Sequence, residues 1–274
     1  MKNNIEHYYP RIAYPTIILT IVSAAVYVSA SVAAVNGQLS IGWLILINSI
    51  AAYLLFTPMH EAGHYNIASK RSMNWINEII GWISGIPLFS PFHMFRTLHF
   101  RHHAFTNHPE KDPDHWLASK NLLSLIFHST TIFPVYLIKG LQLLQAKQGV
   151  AESVKKEVRV GFIGLFFQLA LLVALGISLG WMNILYIWVI PAVIAQSFLA
   201  LTFDWLPHHP HEEKDRFKNS RIIDIPGLAV LFQGQNYHLI HHLYPRVPFY
   251  DYGKVYFEMK EELEEKGVEV VKLN

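Results

Sequence analysis

The sequence predicts an all-α integral membrane protein: four transmembrane helices in two hairpins, with a helical cap on the cytoplasmic side. Three observations predict it. The 274-residue chain is 52% hydrophobic and 15% charged, against about 25% charged in an ordinary soluble domain, and its mean hydropathy is +0.24. From Ile12 to Met59, and again from Val160 to Phe203, there is no Asp, Glu, Lys or Arg. Histidines cluster at the polar flanks of those blocks, at spacings that place them on one side of a helix.

Each uncharged block is long enough for two spans of about 20 residues, and each is broken by a short polar turn, Asn36-Gly37-Gln38 or Gly180-Trp181-Met182-Asn183. The expected spans are 12–35, 41–59, 160–179 and 183–203. A secretory signal is the alternative for the first run, but the run is too long and lacks a small-residue cleavage site. Neither turn carries charge, whereas Arg11, Lys70, Arg71, Arg96, Lys155, Arg159 and Lys214 lie on the flanks. The positive-inside rule places both termini and the segments 60–159 and 204–274 in the cytoplasm. Within them, Ile76–Phe95 and Asn121–Lys139 are apolar but interrupted by Gly, Pro or His, as interfacial or re-entrant pieces would be. Tyr256–Lys266 reads as an amphipathic helix with a solvated Glu and Lys face. No tandem repeat or low-complexity linker divides the chain, so residues 1–274 are expected to form one domain.

A net charge of +2 makes no case for nucleic acid; the local basic residues suit anionic headgroups. The absence of cysteine removes disulfides, thiolate zinc sites, cysteine-bound iron–sulfur clusters and thiolate-ligated haem. Any metal must be held by His, Asp, Glu, Asn or backbone oxygen.

The candidate ligands are His60 and His64; His99, His102 and His103; and His238, His241 and His242. Taken alone, His60-Glu61-Ala-Gly-His64 also fits a zinc protease with Glu61 as base, or two interfacial histidines ending a span. The His-x-x-His-His spacing occurs twice, 139 residues apart, which argues against accident. Two triads suit two metal ions, one triad completing each. His208 is a further nitrogen donor one turn after Asp204, with His209 and His211 as alternatives to it. Metal-bound imidazoles donate their second N–H to a carboxylate or carbonyl; Asp204, Asp112, Asp114, Asn107, Gln235 and Asn236 are candidates for that supporting layer, although turn formation equally explains several of them. His7, His93 and His128 are isolated and read as structural. Imidazole suits several metals, but eight or nine histidines exceed the three ligands of catalytic zinc and fit two iron ions acting on a long apolar substrate. A transporter is disfavoured, because transport sites lie near the midplane and these spans carry no histidine.

The series His-x-x-x-His, His-x-x-His-His, His-x-x-His-His between paired spans resembles the membrane fatty acid desaturase and hydroxylase superfamily, over residues 40–252. Phe203-Asp204-Trp205-Leu206-Pro207-His208 and Gly234-Gln235-Asn236-Tyr237-His238-Leu239-Ile240-His241-His242-Leu243-Tyr244-Pro245 resemble the branch holding β-carotene ring hydroxylases. The resemblance implies a four-span, mushroom-like fold and a di-iron centre on the eight clustered histidines, with His208 as the additional ligand. Asp204 falls where some desaturases hold an Asn that reaches iron through water, and Glu61 falls where many relatives have Asp. It further implies dioxygen as co-substrate and a separate electron donor, a ferredoxin or similar carrier, docking on the basic flank. The reaction expected is desaturation or hydroxylation of a membrane lipid, with carotenoid hydroxylation as the rival and zinc proteolysis more remote.

Overall fold

The structure is a computed structural model and describes residues 5–119 and 121–272. It opens on a hairpin of α1 (Tyr14–Val35) and α2 (Ile41–Gly63). Pro15 lies in the first turn of α1, where a missing N–H breaks no hydrogen bond. In the reversal between the helices Gly37 adopts φ 72°, a conformation that costs glycine little. α2 runs past the expected end at Met59, so His60 lies on the spanning helix itself. The helix tolerates the buried Glu61 because that carboxylate turns back to the Phe249 N–H, 3.4 Å away.

α3 (Asn74–Gly85) follows with an exposed stripe of Trp75, Ile79 and Ile83, the side a bilayer would cover. α4 (Phe92–Phe105) carries the first triad. α5 (Leu122–Ser129) and α6 (Ile132–Gln145) meet at 68° and are long enough to span only as a bent pair, as the interrupted Asn121–Lys139 sequence predicts. α7 (Glu152–Leu179) begins eight residues before the expected span, because Glu152 to Arg159 continue the helix for about two polar turns that bury Val158 and expose Glu152 and Arg159. α8 (Trp181–His208) completes the four described helices long and apolar enough to cross a membrane. Ile18, Ile21, Ile163, Phe166 and Ile177 are exposed on these helices, where water would penalise them and lipid would not.

α8 is not uniform. It widens to π-helical geometry over Leu185–Val189 and Ala200–Trp205, and each widening is followed by a proline, Pro191 or Pro207. Pro191 has no N–H for the Ile187 carbonyl four residues earlier. That carbonyl instead accepts from the Tyr27 hydroxyl at 2.7 Å and the Asn48 amide at 2.9 Å. The break in α8 is thus the point at which α1 and α2 are fastened to it.

The remaining chain forms β1 (Ile222–Asp224), α9 (Leu228–Leu231), α10 (His238–Leu243), α11 (Tyr252–Glu258), α12 (Lys260–Glu265) and β2 (Val270–Lys272). The parallel pair β1 and β2 is a small departure from an all-α fold, formed where β-branched Ile222 and Ile223 meet Val270 and Val271. The tail expected as one helix is two, broken at Met259. Its apolar side is buried with α10 through Leu239, Ile240, Leu243, Val255, Tyr256 and Leu263. Two devices set α4 in place. Gly161 of α7 meets the backbone of Met94, where an added Cβ would lie 2.8 Å from the Met94 nitrogen. Arg96 of α4 donates to Glu78 of α3 at 2.7 Å and to Glu157 of α7 at 2.6 Å. His93, read as merely structural, sits between the same carboxylates at 3.0 and 2.9 Å.

Candidate metal centre

The three distant histidine clusters converge into two groups. In the first, His60, His64, His99 and His241 bring one ring nitrogen each within 4.8 Å of one another; in the second, His102, His208, His238 and His242 do the same. The closest pairs are Nε2 to Nε2: 2.8 Å for His64–His99, 3.1 Å for His60–His241, 3.3 Å for His102–His242 and 3.1 Å for His238–His242. His103 joins the first group, 2.8 Å from His241 and 3.1 Å from His99, while its ring stacks on His242.

The triads are therefore not assigned one to each group, as the sequence reading expected; each is divided. Residues i and i+4 of a helix are separated by about 40° around the axis, whereas i+3 lies about 100° from i+4. His99 and His103 accordingly face the first group and His102 the second. On α10 the pair His238 and His242 faces the second group and His241 the first.

The outer nitrogens have their own partners. His102 Nδ1 lies 3.0 Å from Asp112 Oδ1, and His238 Nδ1 lies 2.8 Å from Gln235 Oε1. His208 Nδ1 donates to the Asn219 carbonyl at 2.7 Å, and His241 Nδ1 meets the Tyr252 hydroxyl at 2.9 Å. Each contact holds the Nδ1 proton outward and leaves the Nε2 lone pair facing the group, as ligand imidazoles require. Burial, reinforced by the neighbouring rings, holds His99, His103, His238, His241 and His242 well below the ordinary imidazole pKa, so these rings are neutral donors. Burial opposes charge on His102 too, but the carboxylates of Asp112 and Asp114 outweigh it and raise its pKa to about 10. The same carboxylates would strengthen that ring as a ligand. Nε2 of His208 is buried with no hydrogen-bond partner. An orphaned lone pair aimed into a nest of imidazoles fits a metal ion better than a hydrogen-bond network, since neutral imidazole has only one N–H to give.

The other expected supporting residues divide. Asp114 is 3.6 Å from His102 and accepts from the Tyr136 hydroxyl at 2.8 Å. Asn107 acts indirectly: its N–H donates to Asp112 at 2.7 Å and its amide to the Glu213 and Asn219 carbonyls. Asn236 donates to the Ile223 carbonyl at 3.0 Å, a bond that ties the turn before α10 to β1, and its buried Oδ1 accepts from no ring of either group. Both Asp204 oxygens are buried without hydrogen-bond partners, and the nearest ring nitrogen is on His211, 4.0 Å away. Of the alternatives to His208, His209 packs on Trp205 and neither it nor His211 joins a group. Tyr252 and the Asn219 carbonyl escaped sequence reasoning. Neither carries a local signal, since both reach their histidines only through the packing of the C-terminal segment. Glu61 lies behind the His60 ring, with Oε1 3.8 Å from His60 Nδ1 and Oε2 accepting from the Phe249 N–H at 3.4 Å, so it does not face the space between the histidines where the protease reading needs a general base.

An apolar cavity opens on both groups. His60, His99, His102, His238 and Asp204 lie at its polar end, and Phe56, Phe95, Trp116, Leu199 and Phe203 form its walls. A second opening on His64 is lined by Tyr65, Lys70, Arg71, Asn74 and Arg246.

Fold and site together define a class: a multi-span helical membrane protein with a polyhistidine metal centre served by an apolar cavity. Residues 38–274 match the family model for fatty acid desaturases, and the chain belongs to that family. It is 25% identical over 229 residues to an sn-1 oleoyl-lipid 12-desaturase of Picosynechococcus sp., covering 75% of this chain and 65% of the relative. It is 27% identical over 231 residues to a Delta(9) fatty acid conjugase-like enzyme of Dimorphotheca sinuata, covering 70% and 60%. An sn-1 acyl-lipid omega-3 desaturase (ferredoxin) of Nostoc sp. is 25% identical over 217 residues, covering 73% and 58%. The chain spans less than two thirds of the length of these relatives. Their names lend no support to the expected leaning toward β-carotene hydroxylases.

Proposed function

We propose that this protein desaturates the acyl chain of a membrane lipid at two iron ions, using dioxygen. The observation that carries the reading is the division of nine histidines between two adjoining groups at the end of an apolar cavity. His60, His64, His99, His103 and His241 would hold one ion and His102, His208, His238 and His242 the other. All these donors are nitrogen, and the bound iron would supply oxidation of an unactivated C–H bond. In the overall reaction the chain loses two hydrogens from adjacent carbons, and one dioxygen takes up those hydrogens, two protons and two electrons to leave as two waters.

The protein's own contribution is positional. Asp112, Gln235, the Asn219 carbonyl and Tyr252 fix the ring orientations, with Asp114 and Asn107 bracing Asp112. Asp204, buried beside the cavity without a protein partner, is placed to hold a water against the second group. Phe56, Phe95 and Phe203 keep the remaining water out and align an extended chain along the wall. Placement of the chain relative to the metals then decides whether an alkene or an alcohol results. The basic flanks support a site and termini on the cytoplasmic side. Electrons come from a separate acidic carrier of the ferredoxin kind, for which Lys70, Arg71 and Arg246 around the opening on His64 supply the complementary charge.

Metal analysis of purified protein, with lipid and pigment profiles of expressing cells, tests the reading. About two irons per chain and new acyl double bonds are expected. Iron-free protein, or hydroxylated carotenoid with unaltered fatty acids, would refute it.

A further inference from the structure

The metal-side cavity does not stop at its aromatic wall. Leu88, Ser90, Ile132, Tyr136 and Gln196 line its far end, and Gln196 also lines two further cavities. The nearer lies between Phe89, Phe95, Phe133 and Tyr136. The outer one lies between Phe89, Phe133, Leu172, Trp188, Ala192 and Val193. Its rim residues Val189 and Val193 are 38% and 42% exposed on the spanning helix α8, so it opens sideways on the surface that lipid covers.

The partition between the inner and outer spaces is a held turn. Phe89 adopts φ 51°, which a bulky side chain rarely tolerates. α8 pins the backbone at two points just ahead of it: Trp188 donates to the Ile86 carbonyl at 2.8 Å, and Gln196 donates to the Leu88 carbonyl. The strained turn presents the Phe89 ring to Phe133, 5.1 Å away, and to Trp188, 5.4 Å away. Simple packing gives no reason to keep a phenylalanine in this conformation beside an unfilled apolar space.

We propose that the acyl tunnel is open-ended. The carbons being oxidised lie at the histidines, and the methyl end leaves past Phe89, Phe133 and Gln196 into the bilayer between α6 and α8. This inference rests on the acyl-lipid reading above. It has a consequence for regiochemistry. A closed floor can stop the methyl end and let a tunnel measure from it, whereas an open tunnel can measure only from the carboxyl or headgroup end. The enzyme therefore counts from the carboxyl carbon and accepts longer chains without moving the double bond.

Two experiments test it. In the first, the full chain is placed in phosphatidylcholine nanodiscs with lipid carrying a diazirine at mid-chain or at the methyl end, and labelled residues are mapped by mass spectrometry. The mid-chain probe should mark Phe95 or Leu199 and the terminal probe Trp188 or Gln196, both of which are lost in Ala192→Trp. Labels confined to lipid-facing positions such as Ile163 and Phe166, or both probes marking the same inner residues, would overturn the route. In the second, expressing cells are fed saturated fatty acids of increasing length and double bonds are located. A fixed distance from the carboxyl carbon is expected, and a fixed distance from the methyl carbon would overturn the proposal. Ala192→Trp should impose a length ceiling, lowering conversion of the longest chains about tenfold or more relative to the shortest, as when methylenes lose their place in an apolar pocket. Ile163→Trp, on the outer face of α7, should leave the profile alone. Wild-type cells with no new double bond would refute the functional reading, while the labelling still decides the route.

Discussion

Asp112→Asn is the substitution that most directly tests the division of the histidines. Oδ1 of Asp112 faces His102 Nδ1 at 3.0 Å and accepts from the Asp114 N–H at 2.9 Å, while Oδ2 accepts from the Asn107 N–H at 2.7 Å. All three donors need an oxygen. An asparagine keeps the shape but turns one oxygen into an NH2 group, so either His102 and Asp114 together or Asn107 alone is left facing a donor. Losing the carboxylate behind a ligand imidazole typically weakens metal binding about 10- to 100-fold, or about 1.4–2.8 kcal/mol. His102 serves only the second group, so the loss should fall on one ion. Ferrous iron titrated into purified protein against a competing chelator measures this. The wild type should bind two ions tightly, and the variant should bind one as before and one more weakly. Two wild-type affinities, or equal weakening of both, would refute the assignment of His102 to a group of its own.

Tyr252→Phe removes the hydroxyl behind His241 Nδ1 and should weaken the other ion, by about tenfold; the same titration, combined with Asp112→Asn, shows whether the two losses fall on different ions. Asn48→Leu leaves the Ile187 carbonyl with Tyr27 alone and should lower stability by about 1–2 kcal/mol, read from thermal unfolding in detergent with metal content unchanged. Burial works against the Glu78 carboxylate, yet His93 and Arg96 override it and lower its pKa from 4.5 to about 2. A depressed folded pKa means that this contribution is full above pH 4.5 and lost as pH falls toward about 2. Glu78→Gln should flatten the acid-side fall in melting temperature over that window, and an unchanged profile would show that the ion cluster on α4 does not stabilise the fold.

The spans were legible because lipid excludes charge, and the two uncharged blocks end where Glu61 and Asp204 begin the polar chemistry. The histidine spacing was legible because a helix repeats every 3.6 residues. That geometry also contained the division of the triads: the 40° and 100° separations are fixed by sequence spacing alone, and treating three neighbouring histidines as one face concealed them. Other features could not be read. The pairing of the Ile187 carbonyl, orphaned by Pro191, with Tyr27 and Asn48 joins positions 160 and 139 residues apart. Tyr252 becomes a partner only when α11 packs beside α10, and the Asn219 carbonyl only when the loop after α8 folds back on His208. His93 looked isolated because both of its carboxylates arrive from other helices.

Sequence neighbours on α4 and α10 serve different centres, so these helices act as cams with two lobes at a fixed angle. One residue inserted ahead of either triad would turn both lobes together by about 100°, carrying one lobe to the other's former direction and swinging the second away from both groups. The spacing of the two histidine groups is for the same reason written into helical pitch, and neither group can shift without dragging the other's histidines along.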